Sequence, residues 1–379
     1  MTMEIIKDYL KNGAAYNNDP KRLYYDIEYD IMQYPDAWCY IIIGGRNTGK
    51  TYGGLKYHMK NKLPHVFLKR TNRDVNLLCA GNSLGNKSAD YEIDLSPYKS
   101  INRDFDTHIK AFKIDEGLGA FYETDEEGSA AGAPKGYLLS LSAIHKYKGF
   151  DLSECASIIW DEFIPQPWEK CSRSEGEQVM ELYKTVSRDR TLRGRDDLKL
   201  LCFANAVNVF NYTCEVLEVT DIIADMSAKK IETCYIEERG IFIRILKTSD
   251  EMMNAEKKTG IYKAMSGTAW GRMAFGNEFA FNDFSNIKKV ALKGYKPLIE
   301  IKYKGKHYYL YNNGINYYMT ESRGKCEEVY DLNKEMGQRA FYYDHGIDLL
   351  NECIDGRVIF EKYTMYDLIV NYRKRFKIS

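Results

Sequence analysis

The run from Cys39 to Thr51, CYIIIGGRNTGKT, limits the fold more than any other part of this sequence. An apolar, β-branched stretch leads directly into a glycine-rich loop, which predicts a buried strand followed by a tight turn. The next stretch, TYGGLKYHMKNKL, has helical character, and HVFLKR behind it predicts a second strand. A strand, a helix and a strand in this order predict a parallel pair joined by a crossover helix. The first part of the chain is therefore expected to be α/β with a mainly parallel sheet.

The glycine-rich loop matches the pattern G-x-x-x-x-G-K-[ST] and lies between the predicted strand and helix, which is the context that this pattern requires. Glycines let backbone N–H groups turn inward, where they and the helix N-terminus can hold phosphate oxygens. Lys50 is expected to bridge the β- and γ-phosphates, and the Thr51 hydroxyl to ligate Mg²⁺. ATP and Mg²⁺ are therefore the predicted cofactors. The predicted nucleotide-binding residues are Gly44, Gly45, Arg46, Asn47, Thr48, Gly49, Lys50 and Thr51.

A second apolar strand, predicted at SIIWDEF, ends in two acids. Asp161 is suited to hold Mg²⁺, because a hard cation prefers oxygen ligands. Glu162 is then placed to orient and deprotonate an attacking water. The alternative is a pair of surface acids that merely end a strand. Together with the loop, the Asp-Glu pair resembles the P-loop ATPases with an added catalytic glutamate (the ASCE class, which includes RecA-like motors) more than GTPases or nucleotide kinases.

The stretch FANA ends another predicted buried strand, and a polar Asn205 there is costly unless it is hydrogen-bonded. It is expected to face the γ-phosphate or the attacking water, although asparagine is also common in plain turns. Just before that strand, four arginines follow a predicted helix. One of them is expected to act on the nucleotide of an adjacent subunit. The alternative is a basic helix end paired with nearby aspartates. These arginines are Arg188, Arg190, Arg193 and Arg195.

Lys+Arg and Asp+Glu balance at 54 each, so any nucleic-acid partner must be met by local patches. One such patch is predicted on a loop after the second strand, where Lys69, Arg70 and Arg73 are the expected DNA contacts. Residues 288–306 hold seven lysines and one acid, which indicates either a nucleic-acid surface or a lysine-guarded edge strand.

The nine cysteines are odd in number and form no CxxC pair, and the six histidines are scattered, so reduced thiols and no zinc site are expected. No apolar run approaches the ~20 residues that span a bilayer, so no membrane association and a cytoplasmic location are expected.

The pattern along the chain predicts three domains: a P-loop ATPase domain over 1–249, a helical linker over 250–287, and a strand-rich domain over 288–379. Within the first, short antiparallel strands are expected between residues 108 and 142, and GIFIRILK near residue 245 is expected to be an edge strand. In the third, a strand meander is followed by two helices.

Four stretches, taken in chain order, resemble the DNA-packaging ATPases of φ29-type tailed phages. They are IIIGGRNTGKTY, KYKG before IIWDEFI, TVSRDR before FANAV, and GTAWGRM-x-x-GNEF. These are small relatives of the large terminases. The resemblance implies a self-assembled ring, a homopentamer, that docks on the portal of an empty procapsid in the host cytoplasm and drives double-stranded DNA inward. By position, Arg188 matches a finger acting in trans and Lys148 a second basic residue reaching the neighbouring site. Lys148 is equally compatible with a solvated lysine, and a packaging RNA as a further partner stays open.

Large terminases carry an RNase H-like nuclease at the C-terminal end, and the strand-rich last domain is compatible with that α+β fold. A two-metal nuclease needs several converging carboxylates, whereas Glu300 stands among lysines and Asp344, Asp348 and Asp355 are loosely spaced. We therefore expect a vestigial nuclease domain without cleavage activity. Two alternatives are a large terminase with an active nuclease and, in a different class, a structural ring component with a vestigial P-loop.

Overall fold

The structure, a computed structural model, describes residues 24–80, 95–147, 149–276, 279, 282 and 284–378. The chain divides into two compact units. The first comprises Met1–Leu217 and Lys229–Phe281, and the second comprises Glu218–Ala228 and Asn282–Ser379.

The first unit is built on one large sheet, which in the described residues has nine strands in the order β3-β4-β5-β2-β6-β7-β1-β9-β8. The strands are β1 (Cys39–Ile43), β2 (His65–Lys69), β3 (Ile109–Asp115), β4 (Leu118–Thr124), β5 (Ala130–Ser140), β6 (Ser157–Asp161), β7 (Lys199–Ala204), β8 (Thr233–Ile236) and β9 (Ile241–Ile245).

Helices connect these strands, and all but α7, most of which falls in the second unit, lie in the first unit. They are α1 (Ile27–Gln33), α2 (Lys50–Asn61), α3 (Asn72–Leu78), α4 (Lys99–Phe105), α5 (Glu175–Ser187), α6 (Tyr212–Val216), α7 (Thr220–Lys229), α8 (Asp250–Glu256), α9 (Gly260–Met265) and α10 (Ala269–Gly276).

The centre of the sheet confirms the predicted parallel arrangement. From β5 through β2, β6, β7 and β1 to β9, each strand is parallel to the next one in this order. Every residue of β1 is buried, as its continuous apolar sequence predicts. The predicted antiparallel strands between residues 108 and 142 also form, as the extension β3-β4-β5.

The prediction of an edge strand near residue 245 is wrong. β9 lies inside the sheet, parallel to β1 on one side and antiparallel to β8 on the other. Four of its five residues are buried, and both of its edges are hydrogen-bonded to neighbouring strands. The edge is β8, four half-buried residues that lack the strong alternation by which a strand is recognised.

A buried ion pair fixes α1 to the sheet. Arg244 on β9 donates through Nε to the Asp30 carboxylate at 2.8 Å, and the Tyr25 hydroxyl donates to the same carboxylate at 2.7 Å. The side chains of Arg244 and Asp30 are 7% and 0% exposed. A charge at this depth is tolerated only with its partner, because desolvation of an unpaired ion costs several kcal/mol.

The second unit has a smaller sheet, which in the described residues has five strands in the order β13-β10-β11-β12-β14. β10 to β12 pair antiparallel, which confirms the predicted meander, whereas β13 and β14 were not predicted. One core contains apolar residues of this sheet and of the last helices. The strands are β10 (Lys296–Tyr303), β11 (Lys306–Asn312), β12 (Tyr317–Thr320), β13 (Glu328–Asp331) and β14 (Val358–Phe360), and the helices α11 (Glu335–Phe341), α12 (Ile347–Ile354), α13 (Tyr363–Val370) and α14 (Tyr372–Phe376).

α7 belongs to this second unit although it lies between strands of the first unit in sequence. Asp221 on α7 accepts hydrogen bonds from the backbone N–H and the hydroxyl of Thr364, both at 2.9 Å, at the start of α13. Glu218 pairs with Lys306 on β11 at 3.6 Å. The second unit is therefore assembled from two separate stretches of chain.

All nine cysteines are free thiols. In the part of the chain that the structure describes, none of the helices has the length and apolar character needed to cross a bilayer.

The Asp30–Arg244 pair gives a prediction about stability. Asp30→Asn keeps the shape of the side chain but leaves Arg244 buried without a counter-charge, so we expect a loss of about 3–5 kcal/mol. The matched control is Glu28→Gln on the same helix, whose Lys60 partner is half exposed at 3.6 Å, and it should cost at most about 1 kcal/mol. Denaturant unfolding followed by circular dichroism compares the two. An unchanged midpoint for Asp30→Asn would show that water reaches Arg244.

Candidate nucleotide-hydrolysis site

Four neighbouring parallel strands, β2, β6, β7 and β1, end at one edge of the large sheet. Leu68 lies opposite Trp160, Asp161 opposite Phe203, and Ala204 opposite Ile43. Ligands of open α/β sheets bind in the crevice outside the carboxyl ends of such strands. The segments that follow the four strands therefore meet at one place, and they contain most of the predicted site residues.

The glycine-rich loop has the backbone that its sequence requires. Gly49 has φ of +88°, and a Cβ added there would lie 2.7 Å from Cβ of Tyr24. Asn47 is also left-handed, with φ of +60°, a conformation that asparagine adopts more readily than most residues. α2 then begins at Lys50, so the N-terminal N–H groups of this helix face the end of the loop. Such an end binds anions through its N–H groups and its dipole.

The side chain of Lys50 is buried, and its ammonium lies within the glycine-rich loop. Its ammonium donates to the carbonyl oxygens of Gly44 and Gly45 at 3.2 and 2.7 Å, to the Thr48 hydroxyl at 3.1 Å and to Asn205 Oδ1 at 3.4 Å. Burial lowers the pKa of Lys50 to about 8, against the opposing effect of the Asp161 and Glu162 carboxylates. A buried cation among carbonyl dipoles is suited to an incoming polyphosphate.

Thr51 and Asp161 are brought together as predicted for a magnesium site. The Thr51 hydroxyl donates to Asp161 Oδ1 at 2.8 Å. A hydroxyl and a single carboxylate fit Mg²⁺, which takes few protein ligands and fills its shell with water and phosphate oxygens.

Lys69 ends β2 and lies between the two acids that end β6. Its ammonium is 2.9 Å from Asp161 Oδ2 and 3.1 Å from Glu162 Oε2, and its side chain is only 14% exposed. Burial alone would lower the pKa of Lys69, but the two carboxylates outweigh it and raise that pKa above its usual value. Its placement corrects the expectation of a loop residue: Lys69 belongs to β2 and contacts both acids.

Arg70, the second expected DNA contact, is also held by carboxylates. It pairs with Glu175 at 2.7 Å and with Glu169 at 3.3 Å, and its side chain is 12% exposed. Arg73, on α3, is exposed as expected for a DNA contact. The structure thus separates the three cations: Lys69 and Arg70 are paired with carboxylates, and Arg73 is exposed.

Glu162, the predicted general base, is the residue directly after β6. Its backbone is left-handed, with φ of +57°, which is uncommon for a residue other than glycine. Its side chain is 68% exposed beside the Lys69 ammonium. Strained backbone of this kind is concentrated at functional sites.

Of the arginines, Arg190 is structural. It is buried and donates to the carbonyl oxygens of Ser153, Cys155 and Asp196 at 2.8, 2.6 and 2.9 Å. Arg188, directly after α5, has a positive φ of +40°, donates to the Phe150 carbonyl and lies 3.8 Å from Asp151.

Two further arginines are paired at the surface: Arg193 lies 3.0 Å from Asp189 and Arg195 lies 2.8 Å from Glu154. Lys148, the second predicted trans residue, lies outside the described residues.

The loop and the acids line a cleft of about 1010 Å³. Side chains that are not phosphate ligands line it as well. The Tyr52 hydroxyl donates to Asp104 at 3.0 Å, and Arg103 lies 2.9 Å from the same carboxylate. Tyr24, which lies against Gly49, and Met252 from α8 also line the cleft. The cleft is large enough for a whole nucleotide and has aromatic and polar side chains beside those of the phosphate loop.

Lys69 and Arg70 were not recognised from the sequence as site residues, although a signal exists. HVFLKR and SIIWDEF are both apolar strands, one ending in two cations and the other in two acids. Parallel neighbours end at the same edge, so opposite charges at their ends are expected to pair.

The sequence profile of the podovirus DNA encapsidation protein (Gp16) family matches residues 19–340. Two solved structures are similar in fold. A chain of "The bacteriophage Phi-29 viral genome packaging motor assembly" is 16% identical, with a TM-score of 0.63 over 93% of this chain and 99% of that chain. A chain of "The Phi-28 gp11 DNA packaging Motor" is 15% identical, with a TM-score of 0.56 over 94% and 99%. No curated protein sequence matches this chain.

The lowered pKa of Lys50 gives a prediction about proton uptake. A bound polyphosphate favours the charged ammonium, so ATP binding above pH 8 should be accompanied by protonation of Lys50. We expect uptake of close to one proton near pH 9, little near pH 6.5, and falling affinity as pH rises past 8. Calorimetry in buffers of different ionisation enthalpy measures this. The absence of proton uptake at both pH values would show that Lys50 is already charged in the free protein.

Proposed function

The chain belongs to the podovirus DNA encapsidation protein (Gp16) family, and on this premise we propose that it is an ATP-hydrolysing motor that drives double-stranded DNA into a viral procapsid. The observation that carries the proposal is the meeting of three groups at one sheet edge. Lys50 lies in a phosphate-binding loop, Thr51 donates to Asp161 at 2.8 Å, and Glu162 is the next residue. This set can bind a nucleoside triphosphate and deprotonate a water.

Each residue has a distinct task in this proposal. The loop from Gly44 to Thr51 and the start of α2 hold the phosphates through backbone N–H groups, and Lys50 adds a charge. Thr51 and Asp161 would hold Mg²⁺, which when bound neutralises charge that develops on the phosphates. Glu162 accepts the proton of the attacking water. Asn205, 3.4 Å from the Lys50 ammonium, is placed to contact the terminal phosphate or that water.

The wider assignments follow from the family and from the two motor structures of similar fold. We assign the chain to a ring of identical subunits, a homopentamer. The ring is docked on the portal of a procapsid in the host cytoplasm, and whether a packaging RNA also takes part is left open. Arg188 and Lys148 are proposed to reach the neighbouring site. The boundaries at residues 249 and 287 and the RNase H-like, nuclease-inactive character of the last domain stay predictions.

The test of the motor is Glu162→Gln. The amide keeps the size of the side chain and removes the base, so ATP should still bind while turnover falls about 10²- to 10⁴-fold. Phosphate release with DNA present measures turnover, and DNase protection by portal-bearing procapsids measures packaging. Glu126→Gln, an exposed acid in the turn before β5, is the control. Wild-type turnover by Glu162→Gln would remove this residue from the role.

DNA binding should not depend on the DNA sequence and should weaken with salt. The slope of the logarithm of the binding constant against the logarithm of salt concentration should become steeper by about 0.9 for each phosphate contact. Because Lys69 and Arg70 are paired within the site, Arg73→Ala is the cleaner test of the predicted DNA patch, and it should flatten the slope by about one contact. The comparison variant replaces the exposed Lys288, Lys293 and Lys296 with alanine. A flatter slope in that variant alone would place the DNA contact in the last domain.

A finger acting in trans is tested by mixing subunits. Arg188→Ala should abolish hydrolysis in a uniform ring, because a trans arginine is worth ~10³-fold or more in rate. Such subunits keep their own Glu162, whereas Glu162→Gln subunits keep Arg188. Mixed rings, assembled at high concentration on DNA or procapsids, should therefore recover part of the turnover. Co-assembly without any recovery would contradict the trans role of Arg188.

A further inference from the structure

We infer that Arg70 is a positioning residue that holds Glu162 in its left-handed turn and joins that turn to α5, the helix that ends at Arg188. The inference deepens the proposed function and rests on it for the roles of Glu162 and Arg188. It also replaces the DNA contact that the sequence predicts for this residue.

The first support is a pair of contacts to the backbone that carries the base. Arg70 Nη2 donates to the carbonyl oxygens of Glu162 and Phe163, both at 3.1 Å. Glu162 has φ of +57°, and such backbone persists only where its surroundings over-determine it. Phe163 is fully buried and its N–H donates to the Phe203 carbonyl at 3.2 Å, which fixes the next peptide. The arginine thus supplies two of the bonds that define the turn.

The second support is the ion pair on the other side of the same guanidinium. Arg70 Nε donates to Glu175 Oε2 at 2.7 Å and Nη2 lies 3.3 Å from Glu175 Oε1. Glu175 is the first residue of α5 and is 2% exposed, so Arg70 is the cation that pairs with a buried carboxylate. The planar, five-donor fork of arginine is what allows one side chain to serve both a carboxylate and two carbonyl groups.

The surroundings of Arg70 argue against a role in gripping DNA. The guanidinium lies over the Trp160 ring at 5.2 Å and is only 12% exposed. A phosphate contact would have to take donors away from Glu175, which would leave a buried carboxylate unpaired.

The link to α5 has a consequence for two sites at once. α5 has 13 residues, about 20 Å of helix, and Arg188 follows its last residue. A shift of the Glu162 turn is therefore transmitted through Arg70 and Glu175 to the helix that places Arg188. The positions of Glu162 in one subunit's site and of Arg188, which acts on the neighbouring site, then both depend on the contacts of Arg70.

The test is the rate of hydrolysis against nucleotide binding. Arg70→Ala should lower kcat about 10- to 100-fold, because misplacing a reacting group by ~1 Å has effects of this size, while the Kd for ATP and the salt slope for DNA stay unchanged. Lys170→Ala, which removes an exposed cation from the loop after β6, is the control. Wild-type kcat together with a flatter salt slope would overturn the inference.

Two further variants distinguish a loss of positioning from a loss of folding. Arg70→Lys keeps a charge beside Glu175 but lacks the fork, so it should remain folded by circular dichroism and still lose kcat; full activity would overturn the inference. Adding Arg70→Ala to Glu162→Gln should cost little beyond Glu162→Gln alone, because Arg70 acts through a base that is already missing. A multiplied loss in that double variant would indicate general damage and also overturn the inference.

Mixed rings separate this inference from the trans role itself. Glu162→Gln subunits should rescue Arg188→Ala subunits, which checks that Arg188 acts in trans. Arg70→Ala subunits should rescue the same partner at least severalfold less well, because their Arg188 is displaced along with their own base. If Glu162→Gln rescues nothing, the proposed trans role fails. If both rescue equally, that role stands and the link between Arg70 and Arg188 fails.

Discussion

The site depends on the parallel register of β2, β6, β7 and β1. Because these strands run side by side in one direction, the segments that follow them are brought within hydrogen-bonding distance although they lie far apart in sequence. Thr51 and Asp161 are 110 positions apart and 2.8 Å from each other. Full burial of the apolar strands stabilises the register, and a shift of any strand along its neighbour would separate the phosphate loop from the acids.

Opposite charges at this edge compensate one another. Lys50 and Lys69 lie near Asp161 and Glu162, and the pKa values of the two lysines shift in opposite directions. Lys50 is surrounded mainly by carbonyl oxygens, so desolvation dominates and its pKa falls to about 8. Lys69 touches both carboxylates, so its pKa rises. One lysine is thus prepared to receive an added anion, and the other holds the two acids in place through its contacts at 2.9 and 3.1 Å.

Much of this was accessible from the sequence, because the strongest patterns were local. CYIIIGGRNTGKT determines its strand, turn and helix within 13 residues, and SIIWDEF determines a buried strand with acids at its end. What could not be predicted depends on partners distant in sequence. β9 is interior only because β8 covers it, and Arg70 is buried only because Glu175 begins a helix 105 positions later. Short strands such as β13 and β14 are held by their neighbours in the sheet and have little pattern of their own.

The origin of α7 has a practical consequence for dissecting the protein. A fragment that starts at residue 282 would contain all five strands of the small sheet but not Asp221, which bonds Thr364 at the start of α13, or Glu218, which pairs with Lys306. Such a fragment would begin α13 without its acceptor. Truncation at residue 282 therefore removes part of the second unit. A circular permutant or a fusion that supplies residues 218–229 in front of residue 282 keeps that unit complete.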